Sequence, residues 1–157
     1  MTAPLNAPLT IRPVRREDYP AWRPLWDGYN AFYERSGPTA LPEEVTARTW
    51  ARFFDAYEPV HALVAEQDGR LVGLTHYLFH RTTTRIEPNC YLNDLFTDPA
   101  VRGAGIGRAL IDGVFAAAGA AGVKGIYWLT HETNATAMRL YDQVATRSGF
   151  VRYVKTE

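Results

Sequence analysis

The stretch from Tyr91 to Arg108 reads YLNDLFTDPAVRGAGIGR and is followed by an alanine-rich segment. Its first seven residues, 91–97, mix aromatic, aliphatic and β-branched side chains with two polar interruptions, which is typical of a mostly buried strand. Asp98-Pro99 ends that strand. Beyond the turn, apolar side chains recur at helical spacing, at Ile106, Leu110, Val114, Ala117 and Ala121. The segment is therefore predicted to fold as a strand, a glycine-rich loop and a helix.

The loop between this strand and this helix has the features of a phosphate site. Amides in the first turn of a helix have no intrahelical partner and lie at the positive end of its dipole. Glycines at 103, 105 and 107 carry no Cβ that would keep a phosphate away, and Arg102 and Arg108 flank the loop. A merely flexible connection is the alternative, but three alternate glycines directly before a periodic helix favour the anion site.

Spacing narrows the choice of ligand. A dinucleotide fingerprint that starts at Gly103 needs a glycine where Arg108 stands, and a nucleoside-triphosphate loop needs a Gly-Lys pair that the chain lacks. What remains is the pattern Arg-x-x-Gly-x-Gly over residues 102–107. This pattern resembles the acyl-CoA pyrophosphate loop of the GCN5-related N-acetyltransferase (GNAT) family.

The resemblance implies a set of acetyl-CoA-binding residues. In the family the strand before the loop bulges and its neighbour splays away, so that backbone amides face the thioester. One such amide would stabilise the oxyanion, a contribution of about 3 kcal/mol to the barrier. Residues that would hold the pantetheine arm and the pyrophosphate are Leu95, Phe96, Thr97, Arg102, Gly103, Ala104, Gly105, Ile106, Gly107 and Arg108. The first three also fit an ordinary core strand, and both roles are compatible.

A second landmark is the run from Asn134 to Tyr141, with Gly149-Phe150 beyond it. It resembles the closing helix of the family, in which an asparagine contacts the cofactor and a tyrosine protonates the leaving thiolate. Asn134 and Tyr141 are therefore assigned those two roles. A phenol with a pKa near 10 stays protonated at neutral pH. A tyrosine that only packs in the core is the alternative.

The spacing after Tyr141 departs from many family members. Seven residues, 142–148, precede Gly149-Phe150, and this longer form resembles the branch of Hpa2-type histone and polyamine acetyltransferases. The resemblance implies a small primary amine, a polyamine or an exposed lysine as acceptor. For such a cation we expect an aromatic pocket on the first helix, with Tyr29 and Tyr33 lining it.

The acceptor must lose a proton before it attacks. An ammonium with a pKa of about 10.4 costs roughly 4.6 kcal/mol to deprotonate at pH 7. Polyamine acetyltransferases carry a glutamate where this chain has Asn93, and an amide does not accept a proton usefully. Asp94 beside it is the candidate base, a water chain is the alternative, and a carboxylate that only forms a salt bridge or caps a turn fits equally well.

Composition bounds the class of protein. The 157 residues predict one domain over 9–157 after a flexible arm over 1–8. Lysine plus arginine equals aspartate plus glutamate at 17 each, which gives no support for nucleic-acid binding. A single cysteine, Cys90, excludes an internal disulfide, and scattered histidines argue against a metal site. No apolar run suits a membrane span, so we expect a cytoplasmic protein, and the resemblance suggests a homodimer.

The predicted elements form a mixed α/β domain. Strands are predicted over 9–14, 60–66, 70–79, 91–97, 124–130 and 149–154, with helices over 15–33, 43–57, the segment after the loop and 134–144. Pro24 and Gly28 are expected to interrupt the first helix. The order matches the layout of the GNAT family, with a sheet of six to seven strands and about four helices.

The sequence thus predicts an acetyl-CoA-dependent N-acetyltransferase that works by direct attack of a neutral amine. The alternative is an acyl-CoA sensor or interaction module of the same fold that has lost proton transfer, an interpretation that Asn93 favours. A phosphate-binding hydrolase would need a nucleophile or a metal cluster, and neither pattern is found in the sequence.

Overall fold

The computed structural model describes residues 7–157 and contains, within them, one five-stranded sheet with helices on both faces. The strands are β1 (Thr10–Pro13), β2 (Val60–Gln67), β3 (Arg70–His80), β4 (Asn89–Thr97) and β5 (Ile126–Tyr127). The helices are α1 (Tyr19–Phe32), α2 (Glu43–Arg52), α3 (Ile106–Ala120) and α4 (Ala135–Val144). Strands lie side by side in chain order, antiparallel except for the parallel pair β4–β5. This is the α/β fold that the sequence predicts.

Two apolar cores lie on opposite faces of the sheet because side chains alternate along each strand. On one face, α1 buries Trp22, Leu25, Trp26 and Tyr29 against Val64, Leu74 and Phe96. On the other face, α3 packs on the alternate strand positions, with these residues buried: Leu63, Ala65, Val72, Tyr77, Cys90, Leu92, Ile106, Leu110, Ile111, Val114 and Ala118. The amphipathic pattern that defined the helix after the loop therefore faces the sheet.

The hairpin between β2 and β3 forms where the sequence predicts it. Gln67 pairs with Arg70, and Asp68 and Gly69 both have positive φ angles, of 52° and 74°. A two-residue turn with two positive φ angles matches the twist of the strands it joins.

Helix α1 is continuous, so the predicted interruptions at Pro24 and Gly28 are wrong. Gly28 has a packing role instead. A Cβ at this position would lie 2.8 Å from the Cζ atom of Phe96, so the glycine lets α1 approach β4 closely. The approach brings the aromatic face of α1 over the strand that precedes the loop.

The sheet is smaller than the predicted six to seven strands. The strand predicted over 124–130 is reduced to β5, and residues 149–154 form no strand. Phe150 and Tyr153 in that last segment are 93% and 91% exposed. A two-residue β5 offers too short a ladder for a further strand to pair with.

The arm predicted over residues 1–8 lies mostly outside the described residues. Ala7 is described, and its carbonyl accepts a hydrogen bond of 2.7 Å from Nε2 of Gln67. From Ala7 to Glu157, no helix is both long and apolar enough to cross a bilayer.

Candidate functional site

The cleft of the molecule opens where β4 and β5 diverge. β4 pairs with β3 along its length, but with β5 only at Cys90–Ile126 and Tyr91–Tyr127. Beyond Tyr91, the β5 side of β4 has no strand partner within residues 7–157. The backbone of β4 up to Thr97 is thus open to an extended ligand that pairs with it as a strand would.

A bulge in β4 lies at the mouth of this cleft. His76 pairs with Asp94 and the next residue, Tyr77, pairs with Leu92, so Asn93 is an extra residue on β4. Beyond the bulge, Leu95 packs on the α3 side, whereas Asp94 contacts residues of the α1 side. Bulges redirect side chains in this way. The bulge expected from the family resemblance is present, and it turns Asp94 into the buried interior under α1.

The glycine-rich loop leads directly into α3. Gly103 and Gly105 have positive φ angles of 87° and 76°, and open space lies where a Cβ would stand at either position. Gly105 is the N-cap of α3, and no side chain from residues 7–157 caps the helix. The first amides of α3 are therefore free to bind an anion.

Gly107 has a different role from the other two glycines. A Cβ there would lie 3.4 Å from Cδ2 of Leu140 in α4, in ordinary contact. Gly107 therefore lies where the start of α3 meets α4.

Two arginines border the loop. Nε of Arg102 donates to the Thr97 carbonyl at 3.4 Å, and its guanidinium lies 5.7 Å from the centroid of the Phe96 ring. Arg108 is exposed on the first turn of α3. Among the described residues neither forms an ion pair, so both charges are available to a phosphate.

Helix α4 carries the two residues of the second landmark, Asn134 at its N-cap and Tyr141 in its body. Asn134 is the N-cap of α4, and its Nδ2 donates to Oγ1 of Thr130 at 3.4 Å. Tyr141 is half-buried and packs edge-on against Trp128 at 5.3 Å between ring centroids. Burial, followed by the nearby Tyr33, raises the pKa of Tyr141 to about 12. The phenol therefore keeps its proton throughout the physiological range.

Asp94 is held by three donors. Nδ1 of His76 lies 2.9 Å from its Oδ2, Nδ2 of Asn93 lies 2.8 Å from its Oδ1, and the Tyr29 hydroxyl bonds to it as well. Burial raises the pKa of Asp94, but these hydrogen bonds and the charge interaction with His76 outweigh burial and hold that pKa below its usual range. Asp94 is therefore an ionised carboxylate.

The protonation of His76 follows from its other neighbour. Nε1 of Trp22 lies 3.1 Å from Nε2 of His76. An indole N–H can only donate, so Nε2 accepts and the ring proton is on Nδ1, from which it is donated to Asp94. The proton of the His76–Asp94 hydrogen bond is thus on the ring, and Asp94 accepts it as a carboxylate. Trp22 and His76 are 54 positions apart, and the sequence contains no motif that links them.

Two cavities meet at the bulge. One of about 520 Å³ is lined by Tyr29, Arg35, Tyr91, Asn93, Asp94, Tyr127, Leu129 and Arg152. The other, of about 430 Å³, extends under α1 and α2 past Trp26, Leu41, Val45, Phe53 and Leu78. Arg35, Asn93 and Asp94 line both. Tyr33 packs against Tyr29 at 5.1 Å between ring centroids, beside the larger cavity.

Most of the residues selected from the sequence gather around this cleft. Leu95 to Thr97 form its strand wall, the loop follows them, and α4 lies against the loop. Sequence reasoning missed His76, Arg35 and Arg152, which come from β3, the end of α1 and the C-terminal segment. Only the fold brings these three elements together.

Comparison with known proteins gives a consistent result. The model of the acetyltransferase (GNAT) family matches residues 22–145. A D-amino-acid N-acetyltransferase of Saccharomyces cerevisiae, HPA3, is 33% identical over 95% of this chain and 91% of its own. An uncharacterized N-acetyltransferase of Bacillus subtilis, YhfO, is 31% identical over 92% of this chain and 95% of its own. A mycothiol acetyltransferase of Thermomonospora curvata is 31% identical over 92% of this chain but only 43% of its own length.

Solved structures share the fold at lower identity. An aminoglycoside N-acetyltransferase, AAC(6')-Iy in complex with CoA, superposes with a TM-score of 0.81 at 16% identity and covers 99% of both chains. A ribosomal-protein-alanine N-acetyltransferase from Brucella melitensis superposes with a TM-score of 0.80 at 22% identity, covering 96% and 98%. The match of the family model over most of the chain, together with relatives of similar length, shows that this chain belongs to the GNAT family of acetyltransferases.

Proposed function

We propose that this protein transfers the acetyl group of acetyl-CoA to the primary amine of a small molecule by direct attack. The observation that carries the proposal is the divergence of β4 from β5 directly before the glycine loop. An open strand edge and an uncapped helix N-terminus in succession suit an extended ligand with an amide-containing arm and a diphosphate.

The residues of the cleft fit such a donor. Open space at Gly103 and Gly105 leaves the first amides of α3 accessible, and Arg102 and Arg108 supply charge. In this proposal the backbone of Leu95, Phe96 and Thr97 binds the pantetheine arm. Asn134 at the start of α4 contacts it from the other side. Acetyl-CoA supplies a thioester carbonyl at the bulge.

The acceptor ammonium carries two protons that the reaction removes. One is released to solvent before attack; the neutral amine then forms the C–N bond and gives a tetrahedral oxyanion, which collapses as the C–S bond breaks. The departing sulfur takes a proton from Tyr141, and the proton that leaves the new amide nitrogen restores that phenol. Tyr141 supplies the proton to sulfur, because its phenol stays protonated and it lies beside the cleft. A backbone N–H of β4 near Leu95 stabilises the oxyanion.

Asp94 has a more specific role in this proposal than that of a strong base. Its lowered pKa makes it a poor acceptor for a proton from an amine of pKa near 10. It binds the ammonium as an ionised carboxylate, and water in the larger cavity carries the released proton to solvent. Asn93, which lines both cavities, bonds to Asp94 rather than replacing the glutamate of polyamine acetyltransferases.

The relatives leave the acceptor open among amines. One is named for D-amino acids, others for mycothiol, and structural neighbours for aminoglycosides. A small amine, a polyamine or a lysine side chain are the acceptors that the sequence suggests. All of them share the nucleophilic nitrogen that the site requires.

A donor-binding test distinguishes the proposal from a role unrelated to CoA. We expect acetyl-CoA turnover with a panel of amines, followed by the release of free thiol. Gly105→Ala should weaken CoA binding at least tenfold in calorimetry, because it strains the αL cap of α3. Gly69→Ala is the matched control, since Gly69 has a similar φ of 74° and open space but lies in the β2–β3 hairpin. Equal CoA affinity in both variants would contradict the proposed donor site.

An acyl-CoA sensor is the second candidate function, and the amide at Asn93 together with the weak basicity of Asp94 favours it. Binding of CoA without turnover of any amine would support the sensor and reject the enzyme.

We also propose that the protein forms a homodimer, as the family resemblance suggests. Support comes from the apolar C-terminal segment, in which Phe150, Val151, Tyr153 and Val154 are between 66% and 93% exposed. Sedimentation velocity at micromolar protein tests this, and a monomer would exclude it. The cytoplasmic location expected from the sequence stays a prediction.

A further inference from the structure

The charges around the larger cavity do not suit a polycation. Three charged side chains line it: Arg35, Asp94 and Arg152. Two guanidinium groups face one carboxylate, so the charged lining is positive by one unit. A ligand that fits must bring a positive group to Asp94 and a negative group to the arginines.

Arg35 is held in place by a buried amide. Its Nε donates to Oδ1 of Asn30 at 2.7 Å, and Nδ2 of Asn30 donates to the Trp26 carbonyl at 2.9 Å. Asn30 is only 4% exposed. The guanidinium also lies over the rings of Tyr29 and Tyr33, at 5.7 and 5.3 Å from their centroids. This support fixes the plane of the guanidinium and leaves its two Nη groups for another partner.

No protein carboxylate takes those Nη groups. Among residues 7–157, neither Arg35 nor Arg152 has a carboxylate oxygen within 4 Å. Arg152 lies on the C-terminal segment near Tyr91 and lines the same cavity as Arg35. A small anion in this cavity would therefore have two cationic side chains in its lining.

We propose that the acceptor is a free α-amino acid, whose amine lies against Asp94 and whose carboxylate is bound by Arg35 and Arg152. The inference rests on the proposed acetyl transfer and names the substrate class of that site. Arginine binds a carboxylate through two parallel hydrogen bonds, which fixes the orientation of the acceptor as well as its affinity. The nitrogen then lies at the bulge of β4, where the thioester is expected.

The smaller cavity completes the fit. It shares Arg35, Asn93 and Asp94 with the larger cavity, and its other lining residues include the apolar Leu41, Val45, Phe53 and Leu78. A side chain on the α-carbon would enter this space, so an apolar or aromatic side chain is favoured. A polyamine has no anionic group for the arginines and would bring additional positive charge to them.

The test compares acceptors that carry a free carboxylate with acceptors that lack one. Initial rates of acetyl transfer are measured for both enantiomers of phenylalanine, for phenylalaninamide and for spermidine. The amine of the amide is the less basic one, so without carboxylate recognition the amide would react faster at neutral pH. We expect instead that kcat/KM for one phenylalanine enantiomer exceeds that for its amide and for spermidine at least tenfold.

Variants identify the residues responsible. Arg35→Gln and Arg152→Gln should each lower the ratio of kcat/KM for phenylalanine over phenylalaninamide at least fivefold. Arg152→Gln keeps the test valid if Arg35→Gln fails to fold, because Arg152 is exposed. Arg48→Gln is the matched control, since Arg48 lies on the surface of α2, near Glu44 and outside both cavities, and should leave the ratio unchanged.

The outcomes separate this inference from the proposed function. An amide acetylated as well as the amino acid, or a ratio unchanged in both arginine variants, would overturn the inference while acetyl transfer stands. Without turnover of any acceptor, calorimetry in the presence of CoA decides: binding of phenylalanine but not of its amide supports the amino-acid site and rejects the enzyme. If neither turnover nor selective binding of phenylalanine is found, the amino-acid site and the proposed acetyl transfer are both overturned.

Discussion

At the scale of single residues, the phenol of Tyr141 is the group whose role can be tested most directly. Its raised pKa of about 12 keeps it protonated, and it packs beside Trp128 with Tyr33 nearby. Tyr141→Phe should lower kcat about a hundredfold without changing CoA affinity, because only proton donation to sulfur is lost. Stopped-time thiol assays and calorimetry measure the two quantities.

Tyr57→Phe is the control for this substitution, since Tyr57 is 96% exposed beyond the end of α2. Both values should match those of the unmodified protein. If Tyr141→Phe kept full kcat, the thiolate would be protonated by water and the assignment would be wrong.

The pH dependence of the rate follows from the same residues. Asp94 has a lowered pKa and Tyr141 one of about 12, so neither changes its protonation between about pH 6 and 9. The fraction of neutral acceptor amine rises tenfold per pH unit in this range. We therefore expect log kcat/KM to rise with a slope near one up to the pKa of the amine, as measured by initial rates. For an acceptor amine with a pKa of about 10, an inflection near pH 7 would instead indicate a titrating base on the enzyme.

The sequence predicted some of the residues in the site but not the contacts that set their properties. Asp94 stood out because it adjoins the loop strand, and its burial between Tyr29 and His76 could not be foreseen. The hydrogen bond from Trp22 to His76 joins α1 to β3. Such contacts depend on how helices lie on the sheet, and no local pattern encodes them.

At the scale of elements, the close approach of α1 to β4 rests on Gly28. A Cβ there would lie 2.8 and 2.9 Å from two atoms of the Phe96 ring, so Gly28→Ala must displace the ring or the helix. Overpacking of this kind costs about 1–3 kcal/mol, more than the gain of about 1 kcal/mol in helix propensity. Urea unfolding should show a lower free energy of unfolding.

Gly119→Ala provides the opposite expectation in the same fold. Gly119 lies in α3, and a Cβ at this position would have nothing within 4 Å, so alanine should stabilise the protein by about 0.5–1 kcal/mol. A stabilising effect of Gly28→Ala as large as that of Gly119→Ala would show that Phe96 relaxes without cost.

The elements best predicted from the sequence were those with a strong period or a turn signal. The β2–β3 hairpin and α3 formed as expected because Asp68-Gly69 and the apolar spacing after Ile106 act locally. The strands predicted over 124–130 and 149–154 shared the apolar composition of true strands. Their failure has a non-local cause, since β5 leaves β4 after two paired residues.

At the scale of the whole molecule, equal numbers of acidic and basic residues give a net charge of zero. Charged side chains therefore affect stability mainly through individual ion pairs that are shielded from water. Both oxygens of Asp18 accept from the Arg12 guanidinium, at 2.8 and 2.9 Å, and Oδ2 also accepts from the Arg15 amide at 2.7 Å. This bonding joins β1 to the start of α1. The hydrogen bonds from Arg12 lower the pKa of Asp18, and the bond from the Arg15 amide lowers it further. Burial raises this pKa but does not outweigh the bonds.

Lowered carboxylate pKa values determine how the fold responds to acid. Asp18 and Asp94 both bind protons less readily when folded, so their stabilisation is fully present above the unfolded pKa of about 4 and is lost as pH falls through the folded pKa. Asp18→Asn should therefore lower the free energy of unfolding by about 2 kcal/mol at pH 7 and much less near pH 2.

The exposed ion pair of Asp27 with Arg23 should matter little, so Asp27→Asn should change stability by less than about 0.5 kcal/mol at either pH. Urea unfolding across this pH range measures the difference, and a constant offset between Asp18→Asn and the unmodified protein would show that Asp18 titrates alike in both states.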